Sequence, residues 1–195
     1  MPAATRQITE ADILSDEDYA AQRKTLRSEA IALKKHRRVE VGPYATFYFE
    51  NYQTMWLQVQ EMLRIEKGGR EQIVGELEAY NPLIPQGDEL IATLMLEIED
   101  AKRRNMILLT LGGIEETIFM EIGGSRVLAT PTEYDDRTTP DGKTSSVHWL
   151  RFKLTPEQIA RFKSERVVIG IEHKNYGHMA VLADDARAAL ARDFA

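Results

Sequence analysis

The stretch from Leu33 to Glu66 constrains the fold most, because three different local structures follow one another there without a spacer. Leu33-Lys34-Lys35-His36-Arg37-Arg38 closes a helix with cationic side chains, which complement the negative end of a helix dipole. Val39 and Val41 then alternate with Arg38 and Glu40, Gly42-Pro43 breaks the run, and Phe47 and Phe49 alternate with Tyr48 and Glu50. Two alternating runs around a breaker predict a β-hairpin. Asn51 is a suitable N-cap for a helix through Glu66, with Tyr52, Met55, Trp56, Val59, Met62 and Leu63 facing inward and Gly68-Gly69 as the stop. Helical and sheet parts of the fold therefore meet here.

The flanking sequence extends the same alternation of element types. Thr9 precedes a one-turn helix signal, and Ser15, with acids at Asp16, Glu17 and Asp18, predicts a longer helix whose apolar stripe is Tyr19, Leu26, Ala30 and Leu33. A helix over 71–80 ends before Pro82, and 82–87 reads as a linker or tight loop. From Leu90 the period changes: Leu90, Ala92, Leu94, Leu96 and Ile98 mark a long strand with one apolar face. A helical segment over 101–111, a hairpin over 116–130, an exposed loop over 131–143 and a strand over 146–154 follow. Thr155-Pro156-Glu157-Gln158 opens a short helix, 167–172 and 178–182 read as paired strands around a turn, and 184–194 as a terminal helix. Several strand pairs leave no room for a crossover helix. The prediction is an α+β fold, N-terminal helices and a β-hairpin packed on a mainly antiparallel sheet. One domain spans 1–195, its first part (1–87) mostly helical and its second (88–195) mostly sheet.

Composition narrows function by exclusion. With 195 residues, 43% apolar and 29% charged, the chain suits one good core. The formal net charge of −6 argues against general nucleic-acid or anionic-membrane binding. No cysteine is present, which removes disulfides, thiolate metal sites and thiol catalysis. The N-terminal residues lack a signal-peptide core and no apolar run reaches the ~20 residues of a bilayer span, so a cytoplasmic protein is expected.

Several phrases, taken in order, resemble a known family. They are Ile31-Ala32-Leu33-Lys34-Lys35-His36-Arg37-Arg38-Val39-Glu40-Val41-Gly42, Gln60-Glu61-Met62-Leu63-Arg64-Ile65-Glu66, Tyr80-Asn81-Pro82-Leu83-Ile84-Pro85, Ala92-Thr93-Leu94, Glu121-Ile122-Gly123-Gly124, and Glu172-His173 with Tyr176. Over nearly its whole length the chain resembles the bacterial family catalogued as domain of unknown function 3501. The resemblance implies a stand-alone protein of this length, encoded near rubrerythrin-like proteins and iron–sulfur oxidoreductases; it carries over no catalytic residues. Where the family has Asp-His-Pro before the tyrosine, this chain has Glu172-His173-Lys174.

Two candidate sites stand out from the residues themselves. Lys34, Lys35, His36, Arg37 and Arg38 suit phosphate, RNA or an acidic protein face, since Arg binds anions with directional hydrogen bonds. Dipole compensation alone, worth ~0.3–1 kcal/mol per charge, needs fewer cations than this. Overall acidity disfavours the RNA reading. His173 and His178 flank a turn beside Glu172, and with His148 they form a possible zinc or non-haem iron set. Their spacing is not an established ligand spacing, and a polar turn with solvated side chains is the simpler reading. Glu61 and Glu66, with Glu50, suggest carboxylate ligands, but the Glu-x-x-His pairs of a di-iron bundle are absent, and pairing with Arg64 and Lys67 is the simpler expectation. The Gly112-Gly113 and Gly123-Gly124 pairs are turns, and Ser145 and Ser146 form no nucleophile elbow. The expected function is an accessory protein of a redox or oxidative-stress system that docks a rubrerythrin-like or iron–sulfur partner through the basic cluster, without a cofactor. The alternative is a small His/carboxylate metalloprotein.

Overall fold

Ser15 accepts a hydrogen bond from the Asp18 amide and starts α1 (Asp16–Lys35). Asn51 and Thr54 cap α2 (Tyr52–Glu66) reciprocally, and Lys67, in the left-handed region at φ 54°, ends it. The computed structural model describes residues 6–132 and 137–194; Met1–Thr5 and part of the predicted 131–143 loop lie outside the described residues. The remaining elements are α3 (Gly69–Tyr80), α4 (Ala101–Leu108), α5 (Pro156–Phe162) and α6 (Asp184–Leu190), with strands β1 (Arg38–Val41), β2 (Ala45–Phe49), β3 (Glu89–Leu96), β4 (Ile118–Ile122), β5 (Ser125–Leu128), β6 (Thr130–Pro131), β7 (Val147–Lys153), β8 (Val167–His173) and β9 (Tyr176–Val181).

The strands form two sheets, ordered β1-β2-β3-β7-β6 and β5-β4-β8-β9, and every strand pairing is antiparallel. The fold is α+β, as the sequence predicts, with the hairpin joining the first sheet as its outer two strands. Val39 faces Phe47 across that hairpin, and Phe47 in turn faces Leu94 on β3. Inward residues of both sheets, among them Phe47, Leu94, Phe152, Met120 and Ile169, make one buried cluster. The chain passes from one sheet to the other between β3 and β4, through Ala129 between β5 and β6, and again between β7 and β8.

The outer face of the first sheet is covered by helices. Ile91, on that face, is buried with Met55 and Val59 of α2 and with Leu83 and Ile84, so β3 is covered on both faces, although Glu89 and Thr93 keep the outer one partly polar. The predicted 82–87 linker is therefore partly core, because it carries apolar side chains into the helix–sheet contact. Tyr19 sits edge-on to Trp56 and donates to Glu61, and Arg23 forks onto the same carboxylate. These bonds, the Arg23 guanidinium first, hold the Glu61 carboxyl down to about 2. Glu61 thus clamps α1 to α2 instead of pairing with Arg64 or Lys67. Among the described residues no helix is long and apolar enough to cross a membrane.

One phenol joins the two sheets at their far edge. The Tyr176 hydroxyl on β9 accepts from the Tyr44 and Ala45 amides, each at 2.9 Å, and donates to the Val41 carbonyl at 2.7 Å. That uses the full capacity of a hydroxyl. Gly42 makes the approach possible: at φ +72°, a Cβ there would stand 2.5 Å from the His178 ring. The β9 strand starts two residues earlier than the sequence suggests, because His173 pairs with Tyr176 across a two-residue turn. Tyr176→Phe keeps the ring and strands three buried backbone groups. It is expected to lower unfolding free energy by about 2–4 kcal/mol, measured by urea denaturation; a change of a few tenths would show that the hydroxyl is not what ties β1 to β9.

Candidate functional site

Arg37 follows the α1 cap at the point where the backbone enters β1, and that turn sends its side chain inward. It is 3% exposed. Its Nε donates to the Phe49 carbonyl (2.9 Å) and its Nη2 to the Glu50 carbonyl (3.0 Å), while both Nη atoms fork onto the Asp193 carboxylate. Nη1 also reaches the Ala189 carbonyl at 3.5 Å. Arg37 thereby fastens the end of β2 to the C-terminal segment beyond α6. Burial pushes the Asp193 carboxyl above the ordinary carboxylate range, against the opposing pull of Arg37 and of Arg6.

This ion pair forms part of a cleft of about 350 Å³, also lined by Arg6, Asn51, Tyr52, Gln53 and Arg192. Arg6 holds a left-handed backbone, φ 45°, which is uncommon for a residue with a Cβ. Its Nη1 donates to the Pro85 and Asp193 carbonyls at 2.9 and 2.7 Å, and among the described residues it makes no ion pair. Among the described residues Arg192 has neither a side-chain hydrogen bond nor an ion pair. Three guanidiniums thus share one carboxylate, a formal excess of two positive charges in a chain whose net charge is −6. A cleft lined by charges of one sign strengthens the local field on an incoming anion.

The predicted basic cluster is divided by this arrangement. Arg37 is inside the fold and its guanidinium is occupied, so it is not a free surface cation. His36 Nδ1 lies 2.9 Å from Asp185, whose carboxyl that contact holds below its usual range. Arg38 pairs with Glu40 at 2.7 Å and lies over the Tyr48 ring. Lys34 and Lys35 are exposed and make no ion pair among the described residues. Arg6 and Arg192 were not singled out by sequence reasoning, and no local signal marks them: they reach the cleft from opposite ends of the chain.

The three histidines are not brought together. Among the described residues no three His, Asp or Glu side chains are grouped so as to hold a metal ion. His173 Nδ1 accepts from the Asn175 amide at 3.3 Å, leaving Nε2–H for the Gly112 carbonyl at 3.3 Å, so neither nitrogen offers a free lone pair. His178 is exposed, its ring 4.7 Å from that of Tyr176. His148 is buried with Nε2 3.0 Å from the Ser145 carbonyl and Nδ1 3.8 Å from Glu115, and burial pulls its pKa down. Glu50 and Glu61 are equally remote from a shared site: each is held by hydroxyl donors in its own surroundings.

The fold and cleft define an α+β protein in which a two-sheet sandwich carries a helical cover and an arginine-lined cavity. The chain belongs to the family described as protein of unknown function (DUF3501), which matches residues 7–194. It is similar to a protein of unknown function from Burkholderia pseudomallei K96243, solved by crystallography at 1.90 Å resolution, with 35% identity and a TM-score of 0.88 over 97% of this chain and 100% of that one. No curated protein matches.

Arg37→Met is expected to destabilise the fold by about 3–5 kcal/mol, because it leaves the Asp193 carboxylate buried without its partner. Adding Asp193→Leu should recover most of that loss. Urea unfolding of the single and double variants measures both, and equal losses would show that the stranded charge is not the cause.

Proposed function

We propose that the protein is an accessory binding protein that docks an acidic segment of a partner protein, with a carboxylate entering the cleft between Arg6 and Arg192. The observation that carries this reading is that both guanidiniums line the cleft without a carboxylate of their own, while Arg37, beside them, is already neutralised by Asp193. Two planar donors on one cavity suit bidentate recognition of a carboxylate. Lys34 and Lys35 add positive charge at the end of α1, whose Leu33 lines the same cleft, and would speed encounter with an acidic surface. The docking surface differs from the predicted cluster: Lys34 and Lys35 stay in it, Arg37 supports it from within, and Arg6 and Arg192 bind. That the partner is rubrerythrin-like or an iron–sulfur protein rests on the gene neighbourhood implied by the family resemblance.

The test is calorimetric titration with a peptide ending in two glutamates, against the same peptide with glutamines and an amidated end. The acidic peptide alone should bind, more weakly as salt rises, and Arg6→Gln with Arg192→Gln should weaken it by about tenfold per charge removed. Equal binding of the two peptides, or unchanged affinity in the double variant, would overturn the reading.

A further inference from the structure

Next to the arginine cleft, on the other side of the Glu50-Asn51 step, lies a second cleft of about 380 Å³ between the first sheet and its helical cover. Glu50, 6% exposed, lines it. Its Oε1 accepts from Thr93 at 2.8 Å and its Oε2 from Thr54 at 2.6 Å, so the carboxyl group meets the cleft as an acceptor. Among the described residues no Lys, Arg or His nitrogen comes within ion-pair distance of it; Arg37 bonds only the Glu50 backbone carbonyl. Buried carboxylates are costly unless a positive charge accompanies them, and two hydroxyl bonds offset only part of that cost. The missing partner is a cation.

The walls specify what kind. Trp149 and Tyr80 line the cleft together with Met95, a set of side chains that takes an apolar body by contact; aromatic rings also attract an ammonium group, as the Arg137 guanidinium over the Trp149 ring at 4.6 Å illustrates. The size is that of a small-molecule site. Lys34, exposed on α1, also lines the cleft, and its charge works against a ligand with a second positive centre. We infer that this cleft binds a small organic monocation or zwitterion, its ammonium on Glu50 and its apolar body against Trp149 and Tyr80. The inference is independent of the acidic-segment docking, which uses the neighbouring cavity and ligands of opposite charge.

Phenethylammonium and its uncharged counterpart 2-phenylethanol, titrated calorimetrically into the full chain, test it. Phenethylammonium should bind and the alcohol should bind at least about tenfold more weakly. Glu50→Gln keeps the size and an acceptor while removing the charge, and should erase the preference for the ammonium. Should that variant fail to fold, Met95→Lys decides, since position 95 is half-exposed on the cleft wall and a lysine there supplies a competing cation. It should lower phenethylammonium affinity by a similar factor. Equal binding of the two probes, no binding of either, or unchanged ammonium affinity in a folded Glu50→Gln or Met95→Lys variant would each overturn the inference.

Discussion

The buried Arg37–Asp193 pair is the interaction on which the rest of the site depends. A guanidinium taken out of water must find acceptors for its donors, and here they come from the end of β2, from α6 and from the segment that follows it. The same bonds fix the Phe49 and Glu50 carbonyls, so the backbone leaves β2 in one direction and Asn51 stands where it can cap α2. The helical cover of the first sheet is therefore positioned by a charge pair as well as by the apolar contact of Met55 and Val59 with Ile91.

Charge is sorted on the two sides of that anchor. On one side Arg6 and Arg192 leave positive charge uncompensated; on the other Glu50 leaves negative charge uncompensated. The Glu50 charge does not help folding, since a buried carboxylate without a cation costs stability. Other charges are paired, as where Arg23 and Tyr19 close on Glu61 or Arg126 meets Glu172 at 2.8 Å. Local departures from such pairing are what binding sites require. The sandwich supplies the rigidity: Tyr176 ties the turn between β1 and β2 to β9, so the edge strand next to Arg37 is held at both ends.

Much of the fold is legible in the sequence because its signals are local. Ser15, Asn51 and Thr155 cap the helices they precede, and the alternations at Val39, Phe47 and Leu90 give strands in the expected register of faces. The division into two sheets is not legible, because it turns on which strands meet across the core. The site is less legible still. Consecutive Lys34, Lys35, His36, Arg37 and Arg38 read as one cationic surface, yet the chain rotates between α1 and β1 and drives Arg37 inside while its neighbours stay at the surface. Asp193 and Arg192 lie far along the chain within an ordinary terminal helix pattern, and their meeting with Arg6 and Arg37 is purely tertiary. The histidines mislead for a similar reason: His173 and His178 lie on neighbouring strands, but His173 spends both ring nitrogens on nearby backbone groups.

The claim that an acidic group enters the arginine cleft is tested most directly by following the arginine side-chain Nε–H signals by NMR while a glutamate-terminated peptide is added. The account predicts saturable shifts of Arg6 and Arg192, with Arg37 moving little because its donors are already engaged. Shifts confined to other arginines, or no shift at Arg192 when the peptide is bound, would contradict it.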